Sequence, residues 1–454
     1  MSKQKPTLPR GTRDFSPNTM VKRNHILSTI QKVFENYGYL PLETPALENL
    51  SVLTGKYGDE GDKLLFKILD SGNFLSKLKG DALELGYKSL ATRISEKGLR
   101  YDLTVPFARY VVMNQHEIAF PFKRYQMQPV WRADRPQKGR YREFFQCDAD
   151  VVGTKSLTCE AEIVRMIEDV FDRLKIHVVT RINSRKILEG ITEVLGVKGK
   201  EQAFYVTIDK FDKIGKEKVL EELADTGFNK SSLKKINEIL NIKSSNSEKI
   251  IYLEDLLSSS VPGMEGLREI KEVLAFSSDM GSDNQKLEFD IILARGLSYY
   301  TGVIVEVKAE GIVMGSIGGG GRYDDLTGVF GLEGLSGVGF SFGIDRIFDV
   351  MTEMNLFPEL SDRITKVLIT SLDPELQKYG LGLLNNLRRE GISSEIYPDP
   401  VKLKKQLNYA NKKGIPFVVL IGRDEVDKGI YTLKNMISGE QVEVDMNTLL
   451  QAIK

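Results

Sequence analysis

The chain has 454 residues, with 63 Lys+Arg against 63 Asp+Glu, 28% charged and 41% hydrophobic, which suits a soluble globular protein of roughly two to four domains. The even balance excludes a uniformly basic nucleic-acid binder, so any grip on nucleic acid must be local. No apolar stretch approaches the roughly 20 residues of a membrane helix, and the start "MSKQKPTLPRGTRDF" lacks the apolar core of a signal peptide, so no membrane partner is expected and the chain reads as cytoplasmic.

Residues 20–38 are predicted helical, with Leu27, Ile30, Val33, Phe34 and Tyr37 at helical spacing. Prolines 41 and 45 in "GYLPLETPALEN" suit an edge strand or an interface. Residues 75–98 are lysine-rich without clear periodicity and read as an exposed insertion. "LRYDLTVPFARYVVM" alternates: Leu99, Tyr101, Leu103 and Val105 face one way, Arg100, Asp102 and Thr104 the other, which predicts a strand. Two strands over 122–132 and 141–151 flank a basic loop around Arg135–Arg140, and a helix follows over 156–175. From 183 to 284, lysine- and glutamate-rich segments at helical spacing predict an inserted, mainly helical module. Strand character returns in "KLEFDIILARGLSYYTGVIVEVKAEG", a glycine-rich turn follows, and "GVGFSFGIDRIFDVMTEM" reads as strand into helix. Past a polar linker near 357–365, strands "KVLIT", "SSEIYP" and "FVVLIG" alternate with helices at 373–390 and 401–413 in a closing α/β unit. Long hairpins without βαβ alternation make the first part an antiparallel sheet flanked by helices.

"WRADRPQKGRYREFFQ", Trp131 to Gln146, packs four arginines and a lysine into sixteen residues of this neutral chain. On the strand that follows, Arg142, Phe144, Gln146, Asp148 and Asp150 share one face, and Tyr141, Phe145, Cys147 and Ala149 the other. A face that polar lies in solvent or lines a site. Three further stretches carry chemistry. In "RYDLT" the carboxylate of Asp102 and the hydroxyl of Thr104 can accept hydrogen bonds from an ammonium group. "ARGLSYYTG" places an arginine and two tyrosines after an apolar strand. "GSIGGGGRYDDL" has four consecutive glycines that let backbone approach a ligand; it lacks the GK[ST] ending of a P-loop and breaks GxGxxG spacing at Tyr323. Taken singly, these read as a solvated hairpin, an exposed Asp/Thr alternation, a structural ion pair and a plain turn. Cys147 and Cys159 form no disulfide framework, and His25, His116 and His177 no cluster, so no protein-bound structural metal is expected.

Together, "LRYDLTVPF", "WRADRPQKGRYREFFQCDAD", "RGLSYYTG", "GGGGRYDDL" and "GVGFSFGIDRI" occur in the order of the class II histidyl-tRNA synthetases. The resemblance runs from "RGTRDFSP" into the last domain. It implies a class II α+β catalytic domain over 1–182 and 285–357, a helical insertion over 183–284, and a C-terminal α/β anticodon-binding domain over 366–454. It also implies the reaction: L-histidine joined to histidine tRNA through a histidyl-adenylate, with ATP as substrate, Mg2+ accompanying it, and AMP and pyrophosphate released by a cytoplasmic homodimer.

The resemblance assigns roles residue by residue. Arg132 matches the motif 2 arginine on the α-phosphate, Arg295 the second catalytic arginine, and Arg346 the motif 3 arginine on the γ-phosphate; Asp134 belongs to the ATP site. Asp102, Thr104 and Gln146 take the ammonium of histidine. Asp150 and Tyr300 reach its ring nitrogens, with Tyr299 adjacent and Tyr323 closing the wall. Arg135, Gln137 and Lys138 at the loop tip face tRNA. Two departures stand out: Ser298 where the family has Asp, and Asp325 where it has Gly. Lys402–Lys405 and 411–413 form either an RNA-facing stripe or a solvated helix face. The alternatives are a histidine-sensing regulatory paralogue and an RNA-binding adaptor on an inactive synthetase fold.

Overall fold

The helical spacing near the N-terminus becomes helix α1 (Pro17–Asn36), which buries Ile26, Ile30, Val33 and Phe34. A computed structural model of the chain describes all residues except 1–4, 55–62, 79–85, 138, 198, 243, 284–285, 295–299, 359–364 and 454. Two compact units result, Met1–Asp14 with Arg23–Leu356, and Phe15–Lys22 with Phe357–Lys454. Among the described residues no helix is long and apolar enough to cross a membrane.

In the first unit, strand β1 (Leu40–Pro41) is followed by β2 (Leu47–Asn49), β3 (Phe66–Ile68) and β4 (Lys97–Leu99), the last three forming a small sheet in the order β2-β4-β3. The segment 75–98, expected to be an exposed insertion, thus supplies a paired strand with Gly98 buried between Leu50, Leu53 and Phe66, and a helix over Gly86–Arg93. The main sheet adds β5 (Phe122–Trp131), β6 (Glu143–Val152), β7 (Val178–Ser184), β8 (Leu287–Phe289), β9 (Val303–Ala309), β10 (Gly318–Tyr323) and β11 (Gly337–Gly343). Its order is β1-β5-β6-β11-β10-β9-β7-β8, antiparallel apart from the outer pairs β1–β5 and β7–β8. The proline-bearing β1 takes the edge, where a missing N–H costs no ladder bond.

One face of the sheet is closed by α1 and by α3 (Thr158–Leu174): the Phe34 and Phe171 rings pack, tilted, with centroids 5.8 and 5.7 Å from that of Phe342 on β11. Helix α2 (Thr104–Met113) closes one end of the other face through Phe107, Ala108 and Val111, clustered with Val152, Tyr323 and Leu326. This helix corrects the strand expected from the alternation of 99–105. Asp102 Oδ1 accepts from Val105 N at 3.3 Å, capping the turn, and Pro106 falls in the first turn where its missing N–H is harmless. The glycine-rich "turn" is corrected as well: Gly318–Tyr323 is a central strand, laddered to β9 and β11.

The helical stretch expected over 183–284 contains helix α4 (Arg185–Val194), four helices between Glu201 and Leu256, and α5 (Val261–Asp279). Helix α5 returns against α4, α3 and β7, and Lys186 of α4 reaches Glu265 and Glu269 of α5 at 2.7 and 2.6 Å. The chain then enters α6 (Ile344–Glu353) directly from β11.

The second unit is a five-stranded sheet in the order β13-β12-β14-β15-β16, formed by β12 (Val367–Ile369), β13 (Ser394–Ile396), β14 (Phe417–Leu420), β15 (Tyr431–Asn435) and β16 (Gln441–Val444). Helices Pro374–Arg389 and Leu403–Lys413 connect the parallel strands, as the sequence predicts, and Leu383, Leu387, Val419, Ile421 and Leu449 form its core. The antiparallel strands β15 and β16 are additional to the expected set.

Candidate active site

The hairpin register sets the site. Antiparallel pairing aligns Arg124 with Asp150, Gln126 with Asp148 and Gln128 with Gln146, so alternate residues of β5 and β6 present one polar face. On the other flank, β11 offers Gly339 and Ser341 beside Asp150 and Asp148. Small residues at these alternate positions leave a cavity of about 210 Å3 above the sheet, lined by Asp102, Thr104, Gln146, Asp148, Asp150 and Tyr300 among others. Glycine is enforced here by space: a Cβ on Gly339 would lie 2.0 Å from Asp150 Oδ1, and one on Gly320 would lie 2.0 Å from the Gly339 carbonyl oxygen.

Asp150 is 2% exposed and held at both oxygens, by the Tyr323 hydroxyl at 2.7 Å on Oδ1 and by the fully buried Arg124 at 2.7 Å from Oδ2. The Arg124 guanidinium also lies 4.2 Å from the centre of the Phe107 ring on α2. Burial raises the Asp150 pKa, against the pull of Arg124 and Tyr323. Burial pushes Asp148 up to about 7, against Arg124, with Asp150 and Asp102 adding to the rise. Gln146 donates to Ser341 Oγ at 3.1 Å, while its own Oε1 is buried with no hydrogen-bond partner. That oxygen, with Asp102 and Thr104, suits a cationic donor.

A second chamber of about 250 Å3 adjoins the first through shared Arg132, Gln146, Ser316, Gly319 and Ser341. Its lining is richer in cations: Arg132, Arg140 and Arg346, with Asp134 and Asp345. Arg132 donates from Nε to the Tyr101 carbonyl at 2.9 Å and stands over Phe144 at 5.1 Å. Arg346, in the first turn of α6, donates to the carbonyls of Gly139 and Ser316 at 3.1 and 2.5 Å. Its neighbour Asp345 accepts from Arg13 and Arg23, each at 2.6 Å, a carboxylate at a helix N-terminus where the dipole favours it. Asp134 pairs with Arg140 at 3.2 Å.

Of the residues singled out in the sequence, Asp102, Thr104, Arg132, Gln146, Asp150, Tyr300 and Tyr323 line the first chamber, and Arg132, Asp134 and Arg346 the second. Arg135 and Gln137 are exposed on the loop, where Gln137 and Arg140 exchange backbone hydrogen bonds at 3.1 and 2.9 Å. Arg295, Ser298, Tyr299 and Lys138 lie outside the described residues, as does most of the 357–365 linker. Asp325 is exposed and lines neither chamber. Sequence reasoning missed Arg124, and also Ser341 and Glu306 in the wall of the first chamber, and gave Asp148 a face but no role. The signal for two of them was present: "KRYQMQ" and "GVGFSFG" carry polar or small residues at every second position opposite "QCDAD". Among the described residues no three His, Cys, Asp or Glu side chains form a metal-holding group.

A histidyl-tRNA synthetase family model matches residues 92–347, and an anticodon-binding-domain model matches 366–454. The histidine–tRNA ligase of Cytophaga hutchinsonii is 56% identical over 451 residues, covering 99% of this chain and 100% of that one. That of Christiangramia forsetii is 52% identical over 454 residues with the same coverage. The crystal structure of histidyl-tRNA synthetase from Nostoc sp. PCC 7120 superposes with a TM-score of 0.85 at 31% identity, covering 99% of both chains. A structure from Bacillus halodurans described as an ATP phosphoribosyltransferase regulatory subunit/histidyl-tRNA synthetase, at 19% identity and TM-score 0.75, shares the fold. The chain is a member of the histidyl-tRNA synthetase family.

Proposed function

We propose that the chain is a histidine–tRNA ligase that joins L-histidine to ATP as histidyl-adenylate and then passes the histidyl group to histidine tRNA. The observation that carries the chemistry is the position of Arg132, which lines both the carboxylate-rich chamber and the arginine-rich one. Two anions, an amino-acid carboxylate and the α-phosphate, must approach each other, and a shared guanidinium offsets their repulsion.

Histidine occupies the first chamber. Its ammonium donates to Asp102, Thr104 and the free Oε1 of Gln146, and its ring nitrogens meet Asp150 and Tyr300. Tyr299 stands adjacent in sequence, and Tyr323 and Arg124 hold the Asp150 carboxylate in place. ATP occupies the second chamber with its magnesium ion as part of the substrate, the γ-phosphate on Arg346 and Asp134 on the chamber wall. A carboxylate oxygen attacks the α-phosphorus, the bond to pyrophosphate breaks, and Arg132 and Arg295 meet the charge that develops. In the transfer step a ribose hydroxyl attacks the histidyl carbonyl, its proton passes to the adenylate phosphate, and AMP leaves.

The loop tip at Arg135, Gln137 and Lys138 faces the acceptor stem, and residues 366–454 take the anticodon, with Lys404 and Lys405 exposed on their helix. The protein works as a homodimer in the cytoplasm; exposed Leu40 on the edge strand β1 and Leu47 on β2, 58% and 49% accessible, support a subunit contact in this segment. The regulatory alternative is disfavoured because ligases match the full chain, anticodon-binding domain included. ATP–pyrophosphate exchange dependent on histidine is the test. Exchange with another amino acid, or none with intact binding of histidine, defeats the reading.

A further inference from the structure

Four carboxylates, Asp102, Asp148, Asp150 and Glu306, line the first chamber, and they are not equally compensated. Asp150 is committed to Arg124 and Tyr323. Asp102 accepts from the backbone at the start of α2, where the helix dipole favours its charge. Asp148, 3% exposed, has the neutral Gln146 amide 3.5 Å from Oδ1 and the Ser341 hydroxyl as its other partner. The polar and charged groups around it are Gln126 and Arg124 on β5, Gln146 and Asp150 on β6, Ser341 on β11 and Asp102 before α2, with Glu306 of β9 and Arg132 in the same chamber wall. Of the two cations, Arg124 makes its short contact with Asp150, and Arg132 donates from Nε to the Tyr101 carbonyl.

We propose that Asp148 is a further acceptor for the ammonium group of the amino-acid substrate and releases a proton to solvent when that group arrives. The inference rests on the assignment of the first chamber to histidine. A buried carboxylic acid beside two other carboxylates favours its neutral form; the arriving ammonium supplies the missing positive charge, so the O–H bond breaks and the carboxylate becomes a charge-assisted acceptor. The rise of the Asp148 pKa to about 7 by burial accords with this, because about half of the Asp148 carboxyls then carry a proton at neutral pH. Binding at pH 7 should release about half a proton per site. Affinity for an ammonium-bearing ligand should fall as pH drops below 7, by up to about tenfold per unit.

The test is titration calorimetry on the full chain, without ATP or tRNA, in phosphate and in Tris at pH 7. Two ligands are compared: histidinol, which has imidazole and ammonium, and 3-(imidazol-4-yl)propionate, which has imidazole without ammonium. The ammonium of histidinol lowers the imidazole pKa and the carboxylate of the propionate raises it, so each ligand's own imidazole titration is subtracted from its proton count and the remainder reports the ammonium. We expect proton release with histidinol alone. In the Asp148→Asn variant, checked for folding by its thermal transition, the release disappears and histidinol binds about tenfold or more weakly. Equal proton counts for the two ligands in the unaltered protein, or release retained in Asp148→Asn, would overturn the proposal. Failure of the unaltered protein to bind either histidine or histidinol would instead overturn the assignment of the chamber.

Discussion

Tyr323 on β10 donates its hydroxyl across β11 to Asp150 on β6, at 2.7 Å, and so fixes one oxygen of a carboxylate whose other oxygen faces Arg124. Both partners are buried, so neither contact is screened by water. Replacing Tyr323 by Phe keeps the ring and removes the donor. A hydrogen bond to a charged group is worth about 1.5–3 kcal/mol, so KM for histidine should rise roughly 10- to 150-fold while KM for ATP changes little. Arg124→Met should act on stability instead, because it leaves a buried carboxylate without its cation. A cost of about 3–5 kcal/mol is expected in denaturant unfolding. Equal effects on both substrates from Tyr323→Phe would remove Asp150 from the histidine site.

The glycines of β10 and β11 make a steric prediction. An added Cβ at Gly339 collides with Asp150 Oδ1, so Gly339→Ala should displace that carboxylate and raise KM for histidine at least as much as Tyr323→Phe. Gly320→Ala collides with backbone in the middle of the sheet and should destabilise the fold by about 1–3 kcal/mol. Gly382, inside the helix Pro374–Arg389, has nothing within 4 Å of an added Cβ, and Gly382→Ala should stabilise by about 0.5–1 kcal/mol. Denaturation midpoints and steady-state kinetics of the three variants separate these outcomes.

The hairpin and its polar face were legible because a period of two survives in the sequence whenever one strand face is polar. Helix α1 and the alternating strands and helices of the last unit were legible from apolar spacing in the same way. The start of α2 was not: Leu99 to Val105 fits a strand period, and what decides otherwise is Asp102 capping the turn, a local bond that periodicity does not record. The run Gly318–Gly321 misled for a related reason. Four glycines carry no pattern of their own; they form a strand because β9 and β11 ladder to both sides, and at Gly318, Gly320 and Gly321 an added Cβ finds no room. Arg124 was passed over because an arginine in an isolated strand is ordinary, and its meaning comes only from the register that sets it opposite Asp150.

Arg322 and Glu160 test how the catalytic sheet is anchored. Arg322 Nε and Nη2 meet the two Glu160 oxygens at 2.5 and 2.7 Å, with both side chains almost fully buried, and Arg322 also donates to the carbonyls of Thr154 and Ser156. Glu160→Gln keeps the shape and removes the charge, leaving a buried guanidinium uncompensated. A loss of about 3–5 kcal/mol is expected in urea unfolding, with KM values little altered in the folded fraction. A stability within experimental error of the parent would mean that the carbonyl acceptors alone satisfy Arg322.

Arg295, which the resemblance makes catalytic, and Arg346 should separate by step. Arg295→Ala should lower the rate of adenylation by something on the order of 10²–10⁴, with histidine affinity changed far less, since its charge matters most as phosphorus becomes five-coordinate. Arg346→Ala should raise KM for ATP and reduce pyrophosphate exchange while histidine binding persists. Presteady-state formation of adenylate reads both. An unchanged exchange rate in Arg295→Ala would make that arginine a structural ion-pair partner.

The loop tip should divide between the two substrates by side chain and backbone. Arg135 and Gln137 are exposed, and the backbone bonds between Gln137 and Arg140 hold the turn whatever their side chains are. Arg135→Ala and Gln137→Ala should therefore spare histidine-dependent pyrophosphate exchange and reduce aminoacylation, each lost tRNA contact costing about 1–3 kcal/mol, near 5- to 150-fold. The Gln137 effect should shrink on a tRNA lacking the extra 5′ guanosine of histidine tRNA, because the contact is already missing. Gly139 is the contrasting case. It has φ +71° and its carbonyl accepts from Arg346 Nε, so Gly139→Ala strains the turn and disturbs the arginine assigned to the γ-phosphate. Exchange and aminoacylation should then fall together. If Arg135→Ala and Gln137→Ala also impaired both steps equally, the tip would belong to the ATP site.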